Sequence, residues 1–160
     1  MGMDVHGNRP KNEKGEYFRN NVWWWRPLWN YCLEVAPAVA GKVEHGHTND
    51  GDGLGERDSL KLAAILREKI ENGECKKYAD DYAAQLNAIP MENCDCCNGT
   101  GVRPGGKEQF GEAWFKNMNG CNGCKGKGKV KPWASNYPFS EENVKEFAEF
   151  LENCGGFEIC

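Results

Sequence analysis

The sequence predicts an α+β fold, a small helical body with short strands and a loop or hairpin excursion. Three observations support this prediction. Apolar residues recur at helical spacing in three stretches, short β-prone segments lie near both ends, and a Gly-, Asn- and Lys-rich stretch interrupts the pattern. We expect residues 1–93 and 134–160 to form the body and residues 94–133 an inserted module. The 160 residues, 39% hydrophobic and 28% charged, suit one domain with a core.

The first part of the chain is polar and then densely aromatic. Met3–Val5 predicts a short strand. Pro27 suits the first turn of a helix and Pro37 ends one, so we expect a helix over 26–35. Its inward residues would be Leu28, Trp29, Cys32 and Leu33.

Three consecutive tryptophans, Trp23, Trp24 and Trp25, follow each other in this segment. Neither a helix nor a strand can point all three into one core, so we expect at least one to be partly exposed. An exposed tryptophan could anchor a protein partner or stack on a nucleic-acid base. The alternative is that it covers the edge of the core, and both interpretations stay open.

A polar loop with clustered potential ligands precedes the next helix. His45, His47, Asp50 and Asp52 could hold a second metal ion, which would make a metal-dependent hydrolase an alternative function. A calcium loop is disfavoured because no register places the bidentate Glu at its twelfth position. The competing interpretation is a glycine-rich turn in which Asp50 or Asp52 caps the following helix.

Helical periodicity predicts three amphipathic helices. Two span residues 56–71 and 74–87 and are separated by Gly73, and the third starts after a capping Ser140. A terminal strand is expected over 157–159. The inward faces would carry Leu62, Ile65, Leu66 and Ile70, then Cys75, Tyr78, Tyr82 and Leu86, and last Val144, Phe147, Ala148 and Leu151.

Two eight-residue runs, 94–101 and 121–128, share the pattern C-x-x-C-x-G-x-G. Two such turns can present four thiolates to one tetrahedral zinc, and glycines allow backbone N–H groups to approach the sulfur atoms. We therefore predict one structural Zn²⁺. Its ligands would be Cys94, Cys97, Cys121 and Cys124.

Cys96 could replace a neighbour as ligand, but only the 94/97 pair matches the spacing of 121/124. Disulfide and redox interpretations are less favoured. The N-terminal sequence lacks an apolar signal-peptide core, so we expect a cytoplasmic protein with reduced thiols. Both C-x-x-C runs also lie in loop-like sequence rather than between a strand and a helix.

Residues 94–128 resemble the cysteine-rich zinc module of DnaJ-type chaperones. Those proteins carry four repeats and two zincs, whereas this chain has two repeats and no His-Pro-Asp tripeptide, so chaperone activity does not carry over. The half-module is similar to the one in anti-TRAP, a small bacterial protein inhibitor. The remainder resembles small uncharacterised proteins of bacteria and their phages. These resemblances imply recognition, such as inhibition of a host or defence protein.

Positive charge concentrates around the paired cysteines. Residues 94–133 hold seven basic and three acidic residues, while the whole chain carries −4. Phosphate contacts by this region would make RNA or DNA binding the first alternative function, with Trp114, Phe115 and Trp133 stacking on bases. The basic run comprises Lys125, Lys127, Lys129 and Lys131.

We therefore expect a zinc-stabilised protein-binding module rather than an enzyme. Four cysteines close the metal's coordination sphere, and no nucleophile elbow, phosphate loop or zincin helix is present in the sequence. No apolar run reaches 18 residues, so no membrane partner is expected. The sequence leaves the oligomeric state open.

Overall fold

The structure is a computed structural model that describes residues 2–105, 111 and 120–160. Its contacts divide the chain into a first unit, residues 1–84 with 137–160, and a second unit, residues 85–136. The fold is α+β, as predicted from the sequence.

The first unit contains a four-stranded antiparallel sheet and the longer helices. Its strands are β1 (Gly2–Gly7), β2 (Tyr17–Asn21), β3 (Asp52–Gly55) and β6 (Gly156–Ile159). The strand order is β2-β1-β6-β3, so the last strand of the chain lies inside the sheet. Val5 of β1 faces Phe18 on one side and Ile159 on the other. The helices are α1 (Glu13–Glu16), α2 (Val22–Val35), α3 (Pro37–Ala40), α4 (Glu56–Glu71), α5 (Glu74–Ala88) and α6 (Glu141–Asn153).

The second unit takes in the end of α5 and a short antiparallel pair of strands. These are β4 (Glu92–Asn93) and β5 (Lys129–Val130), and a 3₁₀ helix follows over Trp133–Asn136. The two C-x-x-C-x-G-x-G runs lie between β4 and β5 in sequence.

Aromatic rings fill the core of the first unit. Trp25 stacks on Trp29 with ring centroids 5.5 Å apart, and Phe147 meets Trp25 edge-on at 5.6 Å. All three rings are almost fully buried. The indole N–H of Trp25 donates to the carbonyl of Gly46 over 2.7 Å, which satisfies its one polar atom.

Helix α2 begins four residues earlier than predicted. The side chain of Asn21 accepts the N–H groups of Trp23 and Trp24, both over 3.1 Å, and this cap starts the helix at Val22. Pro27 therefore lies inside the helix rather than in its first turn. Of the four residues predicted to face inward, three are buried and Leu33 is half-buried.

The three amphipathic helices are confirmed. Helix α4 has the predicted bounds, α5 ends one residue later, and Ser140 caps α6 by accepting the N–H of Asn143 over 3.2 Å. The two predicted terminal strands are also present, within β1 and β6. Strands β2 and β3 were not predicted, because β2 lies in the aromatic run and β3 is half glycine.

No helix in the described residues is both long enough and apolar enough to cross a membrane.

Candidate metal centre

Four thiols meet in the second unit. The sulfur atoms of Cys94, Cys97, Cys121 and Cys124 all lie within 4.8 Å of one another, and all four residues are buried. The Sγ atoms of Cys94 and Cys121 are 3.9 Å apart, and those of Cys97 and Cys124 are 3.8 Å apart. These separations are too long for a disulfide, and all four cysteines are free.

The thiol geometry fits a tetrahedral metal ion. A metal–sulfur bond of about 2.3 Å places neighbouring sulfur atoms of a tetrahedron about 3.8 Å apart. The two measured separations match that edge. Thiolates in this geometry are the donor set that zinc takes in structural sites, and four of them leave no position for a substrate.

Each repeat forms the same turn after its first cysteine. The N–H of Gly99 donates to the carbonyl of Cys94 over 3.3 Å, and the N–H of Gly126 donates to that of Cys121 over 3.1 Å. These turns return the chain so that both cysteines of a repeat face one point.

The residues after the second cysteine of each repeat adopt left-handed conformations. Asn98 and Lys125 have φ of 50° and 51°, and Gly99 and Gly126 have φ of 82° and 77°. Two residues in succession with positive φ are costly except for Gly and Asn, and this conformation explains why the first glycine of the pattern occurs in both repeats. Lys125 occupies this conformation without being either residue.

The last glycine of each repeat directs its N–H at a sulfur atom. Gly101 donates to Cys97 Sγ over 3.3 Å, and Gly128 donates to Cys124 Sγ over 3.1 Å. Such N–H groups stabilise thiolate charge and orient the ligand.

The same glycines let the repeats approach closely. A Cβ atom on Gly101 would lie 2.5 Å from the carbonyl oxygen of Gly126, and one on Gly128 would lie 2.3 Å from that of Gly99. Any larger residue would force the two turns apart. The glycines of the motif therefore serve the contact between repeats as well as the turns.

The two thiols of the first repeat differ in pKa. Burial raises the pKa of Cys94 to about 12. Burial acts in the same direction on Cys97, but the Gly101 N–H and the neighbouring thiols outweigh it and lower the pKa of that thiol to about 7.

Cys96 lies beside this centre but outside the group of four. Its side chain is exposed, and its sulfur lies against Gly123, where an added Cβ would be 3.0 Å away. The group that the described residues form is therefore the 94/97 and 121/124 set.

The residues of the predicted second metal site do not come together. In the described part of the chain His45, His47, Asp50 and Asp52 make no ligand group, whereas the four cysteines do. Asp52 instead accepts the backbone N–H of His45 over 2.9 Å, and His47 Nε2 lies 3.0 Å from Asn30 Oδ1. The loop is held by its own hydrogen bonds.

The alternative role of Asp50 or Asp52 as a helix cap is also wrong. The N-cap of α4 is Gly55, which has no side chain to accept a hydrogen bond. Asp52 lies in strand β3, three residues before that cap.

The predicted partner-binding tryptophans differ in exposure. Trp25 is fully buried and offers no surface to a partner, whereas Trp23 and Trp24 are half-buried. Trp23 packs on Tyr137 with ring centroids 4.9 Å apart. Tyr137 is remote in sequence, so no local pattern could predict this pair.

The predicted basic residues are exposed in the second unit. Lys125, Lys127, Lys129 and Lys131 are all solvent-accessible, and Trp133 nearby in sequence is 66% exposed. The ammonium group of Lys131 donates to Asn87 over 3.4 Å. Trp114 and Phe115, the other predicted stacking residues, lie outside the described residues.

Comparison with protein-family models, with curated proteins and with solved structures gives no match.

Proposed function

We propose that this chain is a binding protein whose second unit is stabilised by one zinc ion and whose partner is another protein. Zinc would be held by Cys94, Cys97, Cys121 and Cys124, and its role would be structural because four thiolates close the coordination sphere. The metal supplies folding free energy to a unit that is otherwise rich in turns.

The observation that supports protein binding is the aromatic pair on the surface of the first unit. Trp23 and Tyr137 are both half-buried and pack on each other, and Arg26 lies over the Tyr137 ring. Tryptophan, tyrosine and arginine are the side chains that contribute most to protein interfaces. A half-exposed tryptophan held by a neighbouring ring is an anchor of low conformational entropy.

The similarity of the paired repeats to the DnaJ-type and anti-TRAP modules supports recognition rather than chemistry. An inhibitor of a host or defence protein, encoded by a phage and acting in the host cytoplasm, is the form of this proposal that the sequence resemblance favours. The oligomeric state stays open in it.

The experiment is affinity capture with the zinc-loaded protein, the Trp23→Ala variant and Leu60→Ala as the control. Leu60 is a 40% exposed apolar residue on α4, away from the aromatic pair in sequence. We expect a partner that binds the wild type and the control and is lost from Trp23→Ala. A captured protein that binds Trp23→Ala as well as the wild type would contradict the role of Trp23 as an anchor. Failure to capture any protein would contradict the proposal that the partner is a protein.

Nucleic-acid binding is the second candidate, because four exposed lysines alternate along residues 125–131. In the described residues none of the four has a carboxylate oxygen within 4.0 Å, so their charges are available to phosphates. Exposed Trp133 could stack on a base.

The test is fluorescence anisotropy with a single-stranded RNA over a range of salt. Binding through three or four of these lysines predicts a slope of log K on log salt of about −2 to −3. Replacing all four by alanine should abolish binding, while Lys76→Ala with Lys77→Ala should not, because those lysines pair with Asp80 and Asp81. Salt-independent or absent RNA binding rejects this candidate.

A further inference from the structure

Arg26 differs from most basic residues of the first unit in its lack of a carboxylate partner within 4.0 Å in the described residues. That unit contains 13 lysines and arginines and 20 aspartates and glutamates. Eleven of the 13 lie within 4.0 Å of a carboxylate oxygen. Across the described residues of the unit, the two without such a partner are Arg26 and Arg57. An arginine without a carboxylate partner in so acidic a unit is an exception that calls for a physical reason.

The guanidinium of Arg26 is held by an aromatic ring instead. Its Cζ lies 5.9 Å from the centre of the Tyr137 ring, and Nη1 lies 3.4 Å from the Tyr137 hydroxyl oxygen. Contact with the ring face positions the group without neutralising its charge. Trp23 packs on the same tyrosine, so a fixed cation and two aromatic rings adjoin one another.

The surrounding groups leave the charge uncompensated. Trp23, Arg26 and Asn30 lie at i, i+3 and i+7 of α2 and share one side of the helix. Asn30 contacts His47. Burial lowers the pKa of His47, and the charge of Arg26 lowers it further. The positive charge of Arg26 therefore acts on a neighbouring side chain, although the unit as a whole carries −7.

We propose that Arg26, Trp23 and Tyr137 form a docking site for an acidic protein segment in which Asp or Glu adjoins an aromatic or aliphatic side chain. The carboxylate would take the outward N–H groups of Arg26 as a two-bond pair, and the apolar neighbour would pack on the Trp23–Tyr137 pair. This inference rests on the proposed function and names the chemistry of the partner.

A nucleic acid fits this site less well than a carboxylate. Polyanions bind through rows of cations, whereas here one guanidinium lies in a unit whose net charge is −7. A single planar cation matches one carboxylate, whereas a phosphate backbone would bring a row of further negative charges to a unit that carries −7.

The experiment selects short random peptides displayed on phage against the zinc-loaded full-length protein. We expect enrichment of peptides in which Asp or Glu adjoins an aromatic or aliphatic residue. The best peptide and its Asn or Gln counterpart are then titrated into the wild type, Arg26→Gln and Arg57→Gln. Arg57 is the matched control, because it is exposed and also lacks a carboxylate within 4.0 Å in the described residues.

We expect Arg26→Gln, and removal of the peptide's negative charge, each to weaken binding by about tenfold or more. Arg57→Gln should change it by less than about twofold, and Arg26→Lys should bind between wild type and Arg26→Gln because the planar contact with Tyr137 is lost. Unfolding curves and zinc content of each variant show that it is folded.

Three results overturn the inference: no enrichment of acidic peptides, equal binding by Arg26→Gln, or displacement of the peptide by single-stranded RNA at equal charge concentration. Peptides that need Trp23 but not Arg26 reject the acidic partner and leave protein binding at this surface intact. A partner whose binding depends on neither Trp23 nor Arg26 would reject this surface as the binding site.

Discussion

The backbone N–H of Cys94 donates to the carbonyl of Gly128 over 2.9 Å, which joins the first residue of one repeat to the last residue of the other. The reciprocal bond runs from Cys121 to Gly101 over 2.8 Å. Each repeat thus satisfies backbone groups of its counterpart. We expect the two repeats to fold together around the metal and neither to fold alone.

The first prediction concerns metal content. The protein should bind about one zinc per chain, and Cys94→Ser or Cys121→Ser should weaken zinc binding by at least about a hundredfold. The reason is that a four-thiolate site binds zinc with roughly 10–16 kcal/mol, of which each ligand supplies a substantial share. Mass spectrometry under native conditions and competition with a chromogenic chelator measure both quantities.

Cys160→Ser is the matched control, because Cys160 is an exposed cysteine outside the group of four. Cys96→Ser tests the alternative ligand in the same assay and should leave zinc binding close to that of the wild type. A freshly reduced protein without bound metal would contradict the site.

The second prediction concerns the glycines that separate the repeats. Gly101→Ala and Gly128→Ala should each lower zinc affinity by about tenfold or more, because the new Cβ meets a carbonyl oxygen of the other repeat. Gly111→Ala is the control for positive φ alone, since Gly111 has φ of 80° and an added Cβ there meets no atom of the described residues within 4 Å. It should cost about 1–2 kcal/mol of stability and leave zinc affinity unchanged. An equal loss of zinc affinity in all three variants would show that backbone strain, and not the contact between repeats, lowers the affinity.

The group of four cysteines was the part of the candidate site most predictable from sequence. Residue type, spacing and the repeated glycines identify Cys94, Cys97, Cys121 and Cys124 because each local turn encodes its own geometry. The histidine and aspartate loop is the opposite case. His45 and Asp52 are close in sequence, but the carboxylate is used by the backbone of its neighbour, and spacing carries no information on that competition.

The third prediction tests the packing around the buried tryptophans. Gly46→Ala should destabilise the first unit by about 1–3 kcal/mol, because the new Cβ would lie 2.1 Å from Trp29 Nε1 and that ring is 1% exposed. Gly55→Ala is the control, since an added Cβ there meets no atom within 4 Å in the part of the chain that the structure describes, and it should cost under about 1 kcal/mol. Urea unfolding followed by tryptophan fluorescence compares the two variants. Similar midpoints for both would argue against tight packing at Gly46.

The fourth prediction concerns pH. Burial, and then Arg26, lower the pKa of His47, so the folded protein binds fewer protons there than the unfolded chain, whose histidine titrates near pH 6.5. The free energy of unfolding should therefore fall as pH drops below about 6.5 and level off below the folded pKa.

His47→Gln keeps a donor for Asn30 but has no titrating group at this position. The free energy of unfolding of this variant should therefore fall less than that of the wild type between about pH 7.5 and 5.5. Exposed His45→Gln is the control and should follow the wild type. Parallel curves for all three proteins would show that His47 does not contribute to acid sensitivity.

Tertiary contacts account for what the sequence did not predict in the fold. Helices α4 and α6 were predicted with their apolar faces, and α6 also with its Ser140 cap, because those signals are local. Strand β3 has two glycines among four residues and exists because Leu54 and its neighbours pair with β6, more than 100 residues away. The contact of Trp23 with Tyr137 is equally remote in sequence.

The position of β6 between β1 and β3 sets an order of assembly during synthesis. A ribosome makes β1, β2 and β3 early, but β3 joins the sheet only through β6, so it cannot do so before residues 156–159 have emerged. Both cysteine repeats emerge before that moment. The nascent chain can therefore bind a metal ion at the four cysteines while its sheet is still open, because the sheet is completed after both repeats have been made.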